Sequence, residues 1–570
     1  MRALGTSSSI FSPRAQKDFV VKKQTKQKKQ TIATPAPSLN LRDIQGLLLR
    51  GYKHFDFIRH LIFRIDNVPG VQALCQALLP DKGSPLVVTD STTWKSTTIT
   101  PAYRLNIAFT CTGLKKVVNS TSDTVPTNYD TISQASTTLF SPFDPGAAND
   151  APNIGDVGSS GPTNWWPKPG WQLKTQPDLA TDFDMVLSLY ALTPAGRESF
   201  CKTLLAMVPA GAATLVFQQD SDPLPEGPNV IHFGYEDGIS QPRIEGAPGA
   251  TVEHAAPGTP PGALLSLAAA APGDDPDDRP KVPAWNFIIV TSTPPPGYNA
   301  HPFLVNGSFG AFRLLYQDVE QFNALIASDA NPEKLAAKMC GRWRDGTPLE
   351  VSPDKPDPSL KGFDLTNFDY WTRSAHQRGP KIPPYPVTGP PQATGDIGQV
   401  CPYASHIRRS NPRDDISVSG NAGPGNANAT QHRVLRRARP YGPPYVQPDQ
   451  ADRGLVGYFI GANLANQFSF IMSQWITANG FAQYDFSPAF PYGDGSGYDP
   501  LFGPSPEWSN TGPFQYCMDK SDPRDPNSYT QVPAASPNNM PQLVVTKGSL
   551  YVFFPSITAL GLMAKGNISN

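Results

Sequence analysis

The same order of strand and helix signals runs through this chain twice, and that repetition limits its fold more than any other feature. Strand-like FIRHLIFRI (57–65) is followed by a helix near 70–79 and then by strand-like YRLNIAFTCT (103–112) and DFDMVLSLYAL (182–192). A helix around 195–207 and strand-like TLVFQQD (214–220) close the first round, which is β-α-β-β-α-β in outline. The Pro/Gly/Ala-rich span 246–283, with PGTPPG and GDDPDDRP, breaks the pattern. It restarts with WNFIIV (285–290), GSFGAFRLLYQ (307–317), helices near 318–328 and 332–341, the strand RGLVGYFIGAN (453–463), a helix over 464–476 and the strand LYVFFP (550–555).

Each round predicts a ferredoxin-like unit, so the expected class is α+β with two tandem halves, 38–245 and 284–570, joined by the linker 246–283. The first half carries a long Pro/Gly/Asn-rich insertion, 119–172, that includes Trp165 and Trp166. Two such halves can pack sheet to sheet, and a crevice between them is a usual place for a ligand. In the helix over 464–476, Leu464, Phe468, Ile471, Met472 and Trp475 share one stripe, which is ordinary core spacing. The Pro-rich span 352–399 and the loop 414–431 are expected to drape over the second half.

A length of 570 residues with 39% hydrophobic content supplies core for two or more domains. The formal net charge of −1 gives no bias toward nucleic acid or membrane, and neither partner is expected. Only residues 1–37 depart from this balance: Arg14, Lys17, Lys22, Lys23, Lys26, Lys28 and Lys29 face the single acid Asp18, which reads as a disordered, solvated arm. No apolar signal core and no run near eighteen apolar residues is visible, so an intracellular, cytoplasmic location is expected, with no membrane span. Six widely spaced cysteines without CxxC read as reduced core residues. HExxH, P-loop and GxSxG signatures are missing, which removes metalloprotease, NTPase and α/β-hydrolase readings.

Chemistry concentrates in three segments. In HRVLRRARPYG (432–442), a two-residue period puts Val434, Arg436 and Ala438 on one face and Arg433, Leu435, Arg437 and Arg439 on the other. The second face is mostly charged and is expected to meet solvent or an acidic partner. An inward Arg436 needs an anion or an anionic cofactor, because a guanidinium cannot shed its charge. A one-residue change of register would reverse the faces and leave four arginines on a solvated strand. In IHFGYEDGISQP (231–242), Gly234 and Gly238 bracket Asp237, so the backbone can turn tightly and present one carboxylate; an Asx-type turn is the plainer alternative. In CPYASHIRRSNPR (401–413), a histidine is ringed by arginines.

Together CPYASHIRRSNPR, RVLRRARPYG, GYEDGISQP and GSFGAFRLLYQDVEQFN resemble the dye-decolorizing peroxidases, a family of haem peroxidases built from two ferredoxin-like halves of the dimeric α/β-barrel type. The resemblance runs from DIQGLLLRGY (43–52) to YVFFPSITAL (551–560). It implies one haem b per chain in the crevice, bound mainly by the second half, with His406 as iron ligand. It also implies Asp499, in GYDPLFG, as the carboxylate receiving the His406 Nδ1 proton, Asp237 as proton shuttle and Arg436 as the distal cation. Leu455 and Gly457 would line the distal face. Gly457 stands where many members have Phe, and Ala438 where some have Asn or Ser, so a more open pocket is expected.

The implied activity is reduction of hydrogen peroxide, with bulky aromatic reductants such as dyes and phenolics oxidised one electron at a time. A homo-oligomer is compatible with this. Three further readings stay open: a haem carrier or sensor on the same fold with vestigial peroxidase activity, a haem-free protein binding an anion, and a haem ligated by the Cys401 thiolate.

Overall fold

Eight strands form one sheet in which every neighbouring pair is antiparallel. They are β1 (Phe57–Ile65), β2 (Tyr103–Phe109), β3 (Met185–Ala191), β4 (Ala213–Ser221), β5 (Ser308–Gln317), β6 (Leu435–Tyr441), β7 (Gly454–Gly461) and β10 (Val544–Phe554). A separate two-stranded ribbon, β8 (Phe514–Cys517) and β9 (Tyr529–Val532), completes the strands among the described residues. The computed structural model describes residues 39–570 except 93–98, 119–127, 248–281, 291–299, 363, 367, 371–399, 414–426, 447–448, 450, 479–480, 482–497, 503–513, 518–528, 533–540, 567 and 569–570. The expectations for the arm 1–37, nearly all of the linker, and most of 352–399 and 414–431 therefore lie outside the described residues.

The order β4-β1-β3-β2-β10-β5-β7-β6 contains the ferredoxin-like order twice. Within β1–β4 the strands lie fourth, first, third, second, and β5, β6, β7 and β10 lie in the same relative order. The helices Val68–Leu78 and Pro194–Met207 serve the first set. Val319–Ala327, Pro332–Cys340 and the π-helical segments Ala465–Ser469 and Ile471–Ile476 serve the second. β2 and β10 join the halves through Phe109 and Phe553. At the far edges, β4 and β6 meet where the Asp222 N–H and the Ser221 hydroxyl both donate to the Pro440 carbonyl, at 3.1 and 2.7 Å. A proline is tolerated there because β6 is an edge strand. No helix among the described residues is long and apolar enough to cross a membrane.

Side chains fill the space where the two halves face each other. His60 of β1 packs edge-on against Phe312 of β5 and Tyr458 of β7, with ring centroids 5.1 and 5.7 Å apart. The Ser188 hydroxyl of β3 sits 2.8 Å from both His60 Nδ1 and Tyr458 Oη. This buried face also corrects two expectations. Leu435 and Arg437, read as part of a solvated face, turn inward: Leu435 is buried, and Arg437 Nε donates to the Leu47 carbonyl at 3.0 Å, its pKa pushed down to about 10 by burial. Arg439 pairs with Asp56 at 3.1 Å, so the acidic partner of that face is the protein itself.

WNFIIV forms a 3-10 turn at Ala284–Asn286 instead of a strand. Ile288 and Ile289 are buried without entering the sheet, because both edges of β5 are already taken by β10 and β7. Likewise β2 stops at Phe109, since the Thr110 hydroxyl accepts the Gly113 N–H and starts the helix Cys111–Val118.

Candidate active site

Arg436 faces away from the first half. Cross-strand partners point the same way, and Arg436 pairs with Phe459 while Arg437 pairs with Tyr458, which meets His60 on the inner side. Arg436, Ala438, Leu455, Gly457 and Phe459 therefore share the outer face of the second half. The segment that follows β4 crosses over this face, so the first half contributes to the site through that segment.

The segment is shaped by its glycines. Gly234 and Gly238 have φ of +84° and +82°, a region that side chains disfavour, and between them the chain turns back on itself. The Asp237 N–H donates to the Asn229 carbonyl at 2.8 Å, the Glu236 N–H to Arg344 at 2.9 Å, and the Tyr235 hydroxyl to Ala336 at 2.7 Å. Asp237 Oδ1 then lies 3.3 Å from Arg436 Nη2. Burial by itself would raise the Asp237 pKa, but the Arg436 charge, the Gly238 N–H and the Arg436 hydrogen bond outweigh it and hold the carboxyl below its ordinary value. Both side chains keep access, at 30% and 39% exposure, as a group that must meet a small substrate requires.

The short helix His406–Ser410 begins at Ser405, whose hydroxyl donates to the Lys338 carbonyl. His406 Nδ1 lies 2.6 Å from Asp499 Oδ2, and the Asp499 side chain has no exposure. Asp499 Oδ1 accepts the Leu501 and Phe502 N–H groups at 2.9 and 3.2 Å, so the carboxylate is fixed as an acceptor and Nδ1 donates. The lone pair is thereby placed on Nε2. Burial works against a charged His406, yet the charge and hydrogen bond of Asp499 hold its pKa above the ordinary value. His406 and the Asp237–Arg436 pair also lie within electrostatic reach of each other.

The arginines beside His406 are fully buried structural ties. Arg408 Nη1 donates to the Cys401 carbonyl at 2.6 Å and its guanidinium stacks 4.0 Å from Tyr403, while Arg409 Nη1 donates to the Trp475 and Ala478 carbonyls. Sequence reading also missed Gln241, whose side chain holds the backbone of Arg436. Its only signal was a place four residues after Asp237 in the same loop.

These residues fit a haem. A haem iron takes one neutral imidazole whose other nitrogen is held by a carboxylate, and His406 with Asp499 has that form. An apolar cluster containing Leu315, Ala404 and Leu501, with Leu455, Ile407 and Phe502 packed against it, joins the His406 segment to the strands carrying the outer face. Gly457 has φ +152°, and a Cβ there would lie 2.1 Å from the Arg437 carbonyl oxygen, so the gap at that position is imposed by the backbone of β6.

No family model matches the chain. It is 25% identical over 578 residues to Peroxidase 2 of Mycetinis scorodonius, covering 97% of this chain and 92% of that protein. It is 27% identical over 554 residues to a dye-decolorizing peroxidase of Exidia glandulosa, covering 92% and 87%. The fold matches the crystal structure of a fungal DyP-type peroxidase from Auricularia auricula-judae with a TM-score of 0.65 at 24% identity, over 93% of this chain and all of that one.

Proposed function

We infer that this chain, which belongs to the dye-decolorizing peroxidase family, reduces hydrogen peroxide and oxidises aromatic reductants such as dyes and phenolics by one-electron steps. The cofactor is a haem, which we propose to be haem b, held through His406 Nε2. Bound haem supplies the iron at which peroxide docks and the redox capacity to accept and return electrons.

The chain's own groups do the rest. Asp499 fixes the His406 ring and makes it a stronger donor. Asp237, ionised when peroxide arrives, takes the proton from one peroxide oxygen and returns it to the other, so that water can leave. Arg436 keeps Asp237 ionised and places positive charge where negative charge gathers as the O–O bond breaks, an effect worth about 3 kcal/mol for a typical fixed donor in a dry site. Gly457 and Ala438 leave the peroxide side open.

The observation that supports this reading is a carboxylate–imidazole pair at 2.6 Å within electrostatic reach of a carboxylate–guanidinium pair at 3.3 Å. Titration of haem-free protein with haem tests the cofactor assignment. One haem per chain and an intense Soret band are expected, with both lost in His406→Ala; a band unchanged in His406→Ala would transfer the ligand role to another side chain.

A further inference from the structure

A row of four residues crosses the second half of the sheet on the active-site face. Arg436 of β6 is the register partner of Phe459 of β7, Phe459 of Ala311 in β5, and Ala311 of Tyr551 in β10. With strands about 4.8 Å apart, Tyr551 stands roughly 15 Å from Arg436 along this row. Above the small Ala311 sits Phe468, its ring 5.4 Å from that of Phe459 and 6.0 Å from that of Tyr551. Aromatic rings thus run from beside Arg436 to Tyr551.

Tyr551 is buried, and its hydroxyl donates to Asp150 Oδ2 at 2.5 Å. The same oxygen accepts the Ser469 hydroxyl at 2.7 Å, and Asp150 Oδ1 accepts Asn153 Nδ2 at 3.0 Å. Nothing in the peroxide chemistry above uses this phenol–carboxylate pair.

We propose that Tyr551 is a redox-active residue that stores one oxidising equivalent inside the protein, with Asp150 as the acceptor of its proton. The proposal rests on the peroxidase reading, which supplies the oxidant. Peroxide withdraws two electrons from the haem protein, and one of these is made good by Tyr551. As that electron leaves along the aromatic row, the phenolic O–H breaks and its proton crosses to Asp150 Oδ2, leaving a neutral phenoxyl radical and a neutral carboxylic acid. An electron from the reducing substrate reverses both movements.

The charge balance favours this tyrosine. Its oxidation neutralises a buried carboxylate, whereas burying a net charge is costly. Burial and the Asp150 charge hold the Tyr551 pKa well above its ordinary value, so the phenol keeps its proton until the electron goes. Tyr458 is the natural competitor, since Ser188 links its hydroxyl to His60 Nδ1. That route must create an imidazolium where burial has pushed the His60 pKa down to about 3.

The test is freeze-quench EPR of the haem-loaded full-length protein, mixed with one equivalent of peroxide and no reductant. Protein carrying ring-deuterated tyrosine identifies the signal. A tyrosyl radical is expected. Tyr551→Phe, which keeps the ring against Phe468, lowers its yield several-fold; Asp150→Asn, which keeps the phenol but weakens the proton acceptor, also lowers it; Tyr458→Phe leaves it unchanged. A signal of unaltered yield and line shape in Tyr551→Phe overturns the proposal, as does its loss in Tyr458→Phe or the lack of any tyrosyl signal. The Soret band recorded on the same samples separates the two levels. A band that responds to peroxide while these EPR results fail overturns only the Tyr551 assignment, and a band that does not respond overturns the peroxidase reading as well.

Discussion

Gln241 grips the backbone of Arg436 from both sides: its Oε1 accepts the Arg436 N–H and its Nε2 donates to the Arg436 carbonyl, each at 3.2 Å. Because Gln241 lies in the same loop as Asp237, one segment sets both partners of the Asp237–Arg436 pair. Gln241→Ala removes both bonds, a loss of about 1 kcal/mol each, and frees the loop from β6. The expected outcome is unchanged haem binding with a peroxide reaction slowed by up to about a hundredfold, the cost of small misplacement at a reacting centre. Single-turnover mixing with peroxide measures it.

The pH dependence follows from Asp237. Its carboxyl is held below the ordinary range, so the ionised base is present above that pKa and is lost as pH falls through it. In Arg436→Gln the opposing charge is gone and burial dominates, so the acid limb of the peroxide rate moves to higher pH. Asp237→Asn removes that limb and slows the reaction by about 10² to 10⁴, the usual contribution of a proton-transfer group. Rate constants measured between pH 3 and pH 7, about one unit below and three above an ordinary carboxylate pKa, check both outcomes.

Asp499 is enclosed and accepts three hydrogen bonds, from His406, Leu501 and Phe502. Asp499→Ala leaves the buried Leu501 N–H without its acceptor, at about 1–3 kcal/mol, frees the part-buried Phe502 N–H and releases the His406 ring. Metal affinity falls by about 10- to 100-fold when such a carboxylate is lost. Competition for haem with a heme-scavenging globin apoprotein measures the loss.

Arg313, on the same outer face as Ala311, forms a bidentate pair with Asp156 and also donates to Thr546 at 2.7 Å and Ser549 at 3.2 Å. Both members of the ion pair are almost without exposure. Asp156→Ala strands the guanidinium and is expected to destabilise the fold by about 3–5 kcal/mol. Denaturant unfolding of the haem-free protein reads this, and a loss under about 1 kcal/mol would show the site rehydrates.

The fold was legible where two periodicities alternated. FIRHLIFRI became β1 residue for residue, and the repeated outline became the repeated strand order. Periodicity misled where tertiary context decided, as with WNFIIV, which is buried outside the sheet. It also misled on β6, whose charged side meets Leu47 and Asp56 inside the protein. The site was legible through motif and not through local physics. Nothing near His406 announces Asp499, 93 residues away, as the partner of its Nδ1, nor does β6 announce Asp237, 199 residues from Arg436. Gln241 carried no signal beyond its place in the Asp237 loop, because an amide that holds a backbone looks like any loop polar residue until the chain is folded.

A haem held between His406 and the Asp237–Arg436 pair would react with peroxide there. Stopped-flow absorbance of the haem-loaded protein mixed with one equivalent of hydrogen peroxide tests it most directly. The ferric Soret band is expected to be replaced within milliseconds in the wild-type chain, and the change to be slowed by orders of magnitude in Asp237→Asn. A band that stays ferric in the wild type, or changes at the same rate in Asp237→Asn, would contradict it.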